Sequence, residues 1–225
     1  MTTIGNEIPP PAATPSPDIP ASLDAAPPVP FEEAPGREPS PFDAVWEPAP
    51  EESEAAAERI PLSDAGLVLV HPFIGRFLQN MGLVDRKGQF VSDEARIHAV
   101  HLLRHVTGYD DEHLGHRLIL EKVLCGLPVD YLVPEEWEAT PEEDEEVEGL
   151  LTALLSHWPT LRKSSVGALQ RGFLQRPGEI ARMDGSFIIR VEGSAMDILM
   201  HDLPWENSII LLSWLDKPIF VEWQH

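Results

Sequence analysis

The stretch that decides the fold is residues 179–193, EIARMDGSFIIRVEG. Two short runs rich in apolar residues flank Asp184-Gly185, a residue pair typical of the tight two-residue turn in a β-hairpin. The chain before this stretch follows a helical period instead. The sequence therefore predicts an α+β fold in which helices come first and strands follow.

The residues after the hairpin complete a small sheet. A brief helix is expected over SAMDILMHDLP (194–204), and two further apolar strands over SIILLSW (208–214) and KPIFVEW (217–223). Short strands of this kind, separated by turn residues, favour antiparallel pairing. We expect a small, mainly antiparallel sheet with one inserted helix.

The residues before the hairpin predict about five helices. The short apolar run GLVLV (66–70) is expected to be extended. It leads into a first helix with Pro72 in its first turn and Gly82 at its exit. Ser92 can cap a second helix, which should end at Gly108.

Three more helices follow from their start and stop signals. One is expected over 111–125, stopped by Gly126 and Pro128. In the next, Thr140 and Glu143 form the pattern of a capping box at the start of TPEEDEEVEGLLTALLSHW. A short fifth helix is expected over 166–175.

Composition divides the chain into two regions. Residues 1–58 contain fourteen of the 23 prolines, twelve acids and one arginine. Such a segment has too little apolar surface to offset the entropy of ordering, so a disordered acidic Pro-rich tail is expected, followed by a globular domain over 60–225. Phe42 and Trp46 form an apolar island in the tail, a possible linear motif for a partner or simply tolerated residues in a spacer.

The charge and the cysteine count exclude several classes of protein. A formal net charge of −22 disfavours binding to nucleic acid or to anionic membranes. The N-terminus lacks the features of a secretory signal, and no apolar run is long enough to insert in a membrane. Cys125 is the single cysteine, which excludes an internal disulfide. We expect a soluble, cytoplasmic protein.

Five of the nine histidines lie within residues 98–116. On a helix, His98, His101 and His105 form one stripe, separate from the apolar arc that must face the core. Three imidazoles could hold a metal ion, but the stripe lacks the HExxH pattern of zinc enzymes. A stripe that faces solvent or a partner is the favoured interpretation, and a metal-dependent enzyme is the less favoured one. His113 and His116 could approach the stripe.

Other catalytic patterns are missing. The sequence has no phosphate-binding loop, no dinucleotide-binding glycine pattern and no nucleophile elbow. Cys125 lies in an apolar context that favours an inert buried thiol. The acidic run at 142–148 is explained by the positive end of a helix dipole better than by a calcium loop. No enzymatic activity and no cofactor are therefore predicted.

Five motifs occur in order along the globular part. They are HPF at 71–73, CGLP at 125–128, HW at 157–158 with FLQR at 173–176, LPW at 203–205, and the terminal VEW at 221–223. With the segments around them, these motifs resemble the tape measure protein family of contractile injection systems, which are phage-tail-like particles. The residues expected to serve packing or a binding interface are His71, Pro72, Phe73, Cys125, Gly126, Pro128, His157, Trp158, Phe173, Gln175, Arg176, Leu203, Pro204, Trp205, Trp214, Glu222 and Trp223.

The resemblance implies a structural protein that acts with inner tube, baseplate or spike proteins and sets tube length during assembly. About 60 fully extended residues reach at most roughly 200 Å, so the tail is short for a ruler. This favours an initiator or baseplate factor beside the length-setting role. The alternative is a transient adaptor or chaperone that holds another assembly protein and then leaves.

Overall fold

A computed structural model describes residues 58–109, 118–134 and 136–224. The expectations for the tail, including Phe42 and Trp46, fall outside these residues, as do His113 and His116. No helix in the described ranges is long and apolar enough to cross a membrane.

The α-helices precede the β-hairpin along the chain, as predicted. Three short 3₁₀ helices, at Ala65–Val70, Pro159–Leu161 and Ala195–Asp202, lie between or beside the regular elements. The α-helices are α1 (His71–Asn80), α2 (Asp93–Thr107), α3 (Ile119–Leu124), α4 (Pro141–His157) and α5 (Val166–Leu169), the last continued by a π-helical turn at Gln170–Leu174.

The helix boundaries read from capping residues are confirmed. Ser92 accepts a hydrogen bond from the Ala95 backbone N–H at 3.1 Å, and Gly108 ends α2 in the left-handed region at φ 68°. Thr140 and Glu143 form the reciprocal capping box at the start of α4. These bonds satisfy backbone N–H groups that a helix leaves free at its first turn.

The sheet has five strands in the order β1-β2-β3-β5-β4. The hairpin of β2 and β3 is confirmed: Met183 pairs with Ser186 across Asp184 and Gly185, which both have positive φ. Three of the four pairings are antiparallel, and β3 with β5 is parallel. The strands are β1 (Ile60–Leu62), β2 (Gly178–Met183), β3 (Ser186–Val191), β4 (Ile209–Ile210) and β5 (Ile219–Trp223).

One face of the sheet packs against the helices. Ile180, Ile189 and Val221 lie side by side on β2, β3 and β5 and are buried in the same apolar core as the helical residues. The core face of α2 is the predicted one, because Ala99, Leu102, Leu103 and Val106 are fully buried. The mainly antiparallel α+β architecture is therefore confirmed.

The prediction of an extended GLVLV is wrong. Residues 65–70 form a 3₁₀ helix, and all six are buried. The backbone passes so close to the π-helical turn that a Cβ on Gly66 would lie 1.7 Å from the Phe173 carbonyl oxygen. A run that is apolar on every side suits a segment enclosed on every side, whether extended or helical, so its pattern alone does not decide between the two.

Three boundaries also differ from the prediction. Leu118 has non-helical backbone angles, so α3 begins at Ile119 rather than as one helix from 111. The strand expected over 208–214 is only Ile209–Ile210, because the chain then turns and brings the Trp214 indole to the Leu124 carbonyl oxygen at 2.8 Å. Strand β1, which contains Pro61 at the edge of the sheet, was not expected.

Candidate functional site

Three of the five sequence motifs meet in one aromatic cluster. Phe73 at the start of α1 makes edge-to-face contacts with His157 at the end of α4, at 5.6 Å between ring centroids, and with Trp205, at 5.3 Å. Trp158 contacts Phe173 at 4.9 Å and Trp205 at 6.1 Å. Edge-to-face pairs stabilise beyond their buried area, so the motifs fasten α1, α4 and the π-helical turn to the 203–205 loop.

The two tryptophans of this cluster differ in how their indole N–H groups are satisfied. Trp158 is fully buried and donates to the Leu199 carbonyl oxygen at 3.0 Å. Trp205 is half-buried, and its N–H is enclosed without an acceptor among the described residues. An enclosed donor without a partner costs about 1–3 kcal/mol. Trp158 thus packs the domain, while Trp205 keeps an unused hydrogen-bonding group near the surface.

The edge of this cluster is accessible, and we call it the aromatic rim: Phe73, His157, Pro204 and Trp205. His157 and Pro204 are exposed, and the two aromatic rings are half-buried. Leu203 beside them packs against the core. The rim combines aromatic surface with one unsatisfied donor, a combination typical of interface hot spots.

His71 and Pro72 shape the first turn of α1. The His71 ring donates through Nδ1 to the Val68 carbonyl oxygen at 2.9 Å. Burial lowers the pKa of His71, although this bond and the nearby Glu206 charge oppose the shift. His71 therefore connects the first turn of α1 to the preceding 3₁₀ helix, and burial favours its neutral form.

A second group of motif residues makes hydrogen bonds between segments that are distant in sequence. Arg176 is buried and pairs with Asp197 through two bonds, of 2.8 and 3.3 Å, while also donating to the Glu192 carbonyl oxygen. Gln175 donates to the Thr107 carbonyl oxygen at 3.0 Å. Trp223 donates to the Asn207 carbonyl oxygen at 3.1 Å.

The remaining motif residues lie on strand β5, at the end of α3 and in the segment before β5. Glu222 accepts from Arg190 at 2.7 Å on the outer face of the sheet. Cys125 is buried, and burial raises the pKa of its thiol strongly, so the thiolate needed for nucleophilic attack is disfavoured. Gly126 ends α3 with φ 73°, and Trp214 packs beside it, while Pro128 is exposed.

The histidine stripe is partly covered by the start of α4 and the segment before it. His98 donates to Glu143, and His105 donates to Asp144 at 2.7 Å, both in the first turn of α4. His101 is buried and stacks on Trp137, with ring planes 8° apart. The prediction that the stripe faces solvent or a partner is therefore wrong for His101, which Trp137 covers, whereas the side chains of His98 and His105 stay partly exposed.

The stripe offers little to a metal ion. In residues 58–109, 118–134 and 136–224, no group of three or more His, Cys, Asp or Glu side chains is arranged to hold one. The Nε2 atoms of His98 and His105 are already bonded to carboxylates. The Trp137 ring was not predicted to belong to this group, yet its centroid lies 5.5–6.1 Å from the centroids of the three histidine rings. A lone tryptophan in an acidic, Pro-containing segment carried no periodic signal for this role.

The comparisons with known proteins agree with the motifs. The family model described as contractile injection system tape measure protein matches residues 10–223, which is nearly the whole chain. No curated protein and no solved structure matches it.

Proposed function

We propose that this chain, which belongs to the contractile injection system tape measure protein family, is a non-enzymatic assembly factor that binds inner tube, baseplate or spike proteins. In this proposal it initiates assembly or sets tube length, and it is made in the cytoplasm and built into the particle. The observation that carries the proposal is the family match over residues 10–223.

The aromatic rim is the proposed contact with a particle protein. Most motif residues satisfy their polar groups inside the domain, as Trp158, Arg176 and Trp223 do. Trp205 differs, because its indole N–H has no acceptor among the described residues. Because this N–H is enclosed in the free domain, a partner carbonyl or carboxylate would accept from it after the indole turns on docking, which would satisfy the donor and fix the orientation of the complex.

A matched pair of substitutions separates binding from folding. Trp205→Phe removes a donor without an internal acceptor, so the free energy of unfolding should stay unchanged or rise by about 1 kcal/mol, while particle assembly falls. Trp223→Phe removes a donor that binds the Asn207 carbonyl oxygen, so the free energy of unfolding should fall by about 1 kcal/mol while assembly stays intact. Urea unfolding and co-purification with tube and baseplate proteins measure the two effects. Normal assembly by the Trp205 variant would exclude the rim as the contact.

The role in assembly is tested by electron microscopy of tubes. Cells with the wild-type protein are compared with a full deletion and with a variant lacking residues 1–58. Scattered tube lengths, or lengths that shift with the truncation, support length control. No tubes in the deletion, with normal lengths in the truncation, support initiation. Normal tubes in every strain would refute the proposal, and absence of the chain from mature particles would favour a transient adaptor.

A further inference from the structure

The core contains an acidic side chain whose oxygens lack a hydrogen-bond donor. Glu121 in α3 is fully buried, and no donor in the described ranges makes a well-formed hydrogen bond to either of its carboxylate oxygens, although its own backbone N–H weakly favours the charged form. An isolated buried carboxylate costs several kcal/mol, and such groups are normally paired or hydrogen-bonded. Glu121 therefore needs a hydrogen-bond partner. A proton shared with a neighbouring acid could provide it.

The nearest acidic neighbour is Asp64, immediately before the 3₁₀ helix Ala65–Val70. Asp64 is buried too, at 5% exposed, and lies within hydrogen-bonding reach of Glu121. Two ionised carboxylates only accept hydrogen bonds, so they repel each other at this range. One added proton converts the contact into a hydrogen bond, with one carboxyl donating and the other accepting.

The surrounding charges indicate which acid takes that proton. Arg104 of α2 places its Nη1 3.5 Å from Asp64 Oδ2 and covers the Tyr109 ring at 4.6 Å. Glu121 forms no salt bridge in the described ranges, although Arg104 acts on it at longer range. The guanidinium thus pairs with Asp64 and leaves Glu121 as the acid without a cationic partner at salt-bridge distance.

The other charged groups near Glu121 do not neutralise it. Lys122 is directed away, since its ammonium donates to the Val129 and Tyr131 carbonyl oxygens. Arg96 of α2 acts on Cys125 and lies over the Phe90 ring at 5.2 Å. Cys125, one turn after Glu121, is a neutral thiol whose pKa is raised by burial and by Glu121.

We propose that Asp64 and Glu121 form a buried proton-binding site, in which a protonated Glu121 donates to Asp64 and holds the 3₁₀ helix against α2 and α3. The site is distinct from the aromatic rim. Burial first, and then the charge of Asp64 and the bond to it, raise the pKa of Glu121 well above its usual range. Folding therefore takes up a proton at a pH where the unfolded chain has released it.

The sign of the pH effect follows. A carboxyl group with a raised pKa in the folded state stabilises the fold fully below its unfolded pKa, about 4.3. That stabilisation is lost as the pH rises towards the folded pKa, because only the folded state is still binding the proton. The unfolding constant should grow by up to about tenfold per pH unit over this interval.

The test compares wild type with Glu121→Gln, an isosteric change that keeps a donor for Asp64 without a titrating proton. Urea unfolding between pH 5 and 9 should give a ratio of unfolding constants, wild type over variant, that rises with pH. Glu145→Gln, an exposed change in α4, is the matched control and should give a flat ratio. A flat or falling ratio for Glu121→Gln would overturn the proposal.

A second measurement does not depend on the variant's folding. Infrared difference spectra of the wild-type protein should retain a protonated carboxylic acid C=O band at neutral pH. That band should be missing from Glu121→Gln or, if that variant does not fold, should shift in frequency in Asp64→Asn, because the acceptor of the Glu121 proton becomes an amide. Absence of the band in wild type would refute the site. Stabilisation of wild type by added CaCl₂ or MgCl₂, absent from the variant, would assign a cation in place of the proton.

Discussion

Glu121 and Glu143 are both buried glutamates in helices, yet their surroundings are opposite. Glu143 accepts from the Thr140 backbone N–H at 2.7 Å and from the His98 ring. Glu121 meets another acid and no donor in the described ranges. Burial alone would raise both pKa values, but the bonds from Thr140 and His98 outweigh it, and the pKa of Glu143 is lowered. Burial is the first cause of the raised pKa of Glu121, whereas hydrogen-bond donors reverse the effect of burial at Glu143, so the presence of donors separates the two carboxylates.

The largest expected effect comes from removing the cation beside the acidic pair. Arg104→Met should cost about 3 kcal/mol at pH 7, because Asp64 would remain buried beside Glu121 without its guanidinium. Chemical denaturation measures the loss, and a double variant with Glu121→Gln should recover part of it. Arg59→Met removes a more exposed pair with Glu179 and should cost at most about 1 kcal/mol. Equal losses in the two variants would contradict the unequal environments.

A smaller effect is expected from the satisfied glutamate. Glu143→Ala removes the capping-box acceptor and the partner of His98, so it should cost about 1–2 kcal/mol at pH 7. Because the pKa of Glu143 is lowered, this stabilisation is present above the unfolded pKa of about 4.3 and is lost as the pH falls through the lower folded value. The difference between wild type and variant should shrink at pH 3. A difference that grew there would reverse the sign of the comparison with Glu121.

The same contrast explains how far the sequence alone could predict the molecule. The capping-box bonds of Glu143 were predictable, since Thr140, Pro141 and Glu143 lie within four residues, whereas its bond from His98, 45 positions away, was not. The hairpin at Asp184-Gly185 was predictable for the same reason. Asp64 and Glu121 are 57 positions apart, and no periodic or capping signal connects them.

The features that were predicted wrongly likewise depend on contacts between segments far apart in the sequence. The stripe of His98, His101 and His105 was correctly assigned to one side of α2, away from the apolar arc. Its cover, Trp137 with the first turn of α4, depends on how two distant segments pack. The parallel pairing of β3 with β5 depends on a crossover of 27 residues, 192–218, which local turn chemistry does not encode. Motif order identified the family but not the convergence of its motifs on Phe73, Trp158 and Trp205.

The smallest effect is expected at the partly exposed bond between His105 and Asp144. His105 donates to Asp144, but that carboxylate is 59% exposed, so water screens the pair. His105→Gln should therefore cost only a few tenths of a kcal/mol, even though the bond is well formed at 2.7 Å. Thermal unfolding at pH 7, with His98→Gln as the partner variant, measures the difference. His98 binds the buried Glu143, so its loss should be larger, about 1 kcal/mol. If the two variants lose the same free energy of unfolding, burial of the acceptor does not control the strength of these histidine–carboxylate bonds. The contrast between Glu121 and Glu143 would then rest on the neighbouring charges alone.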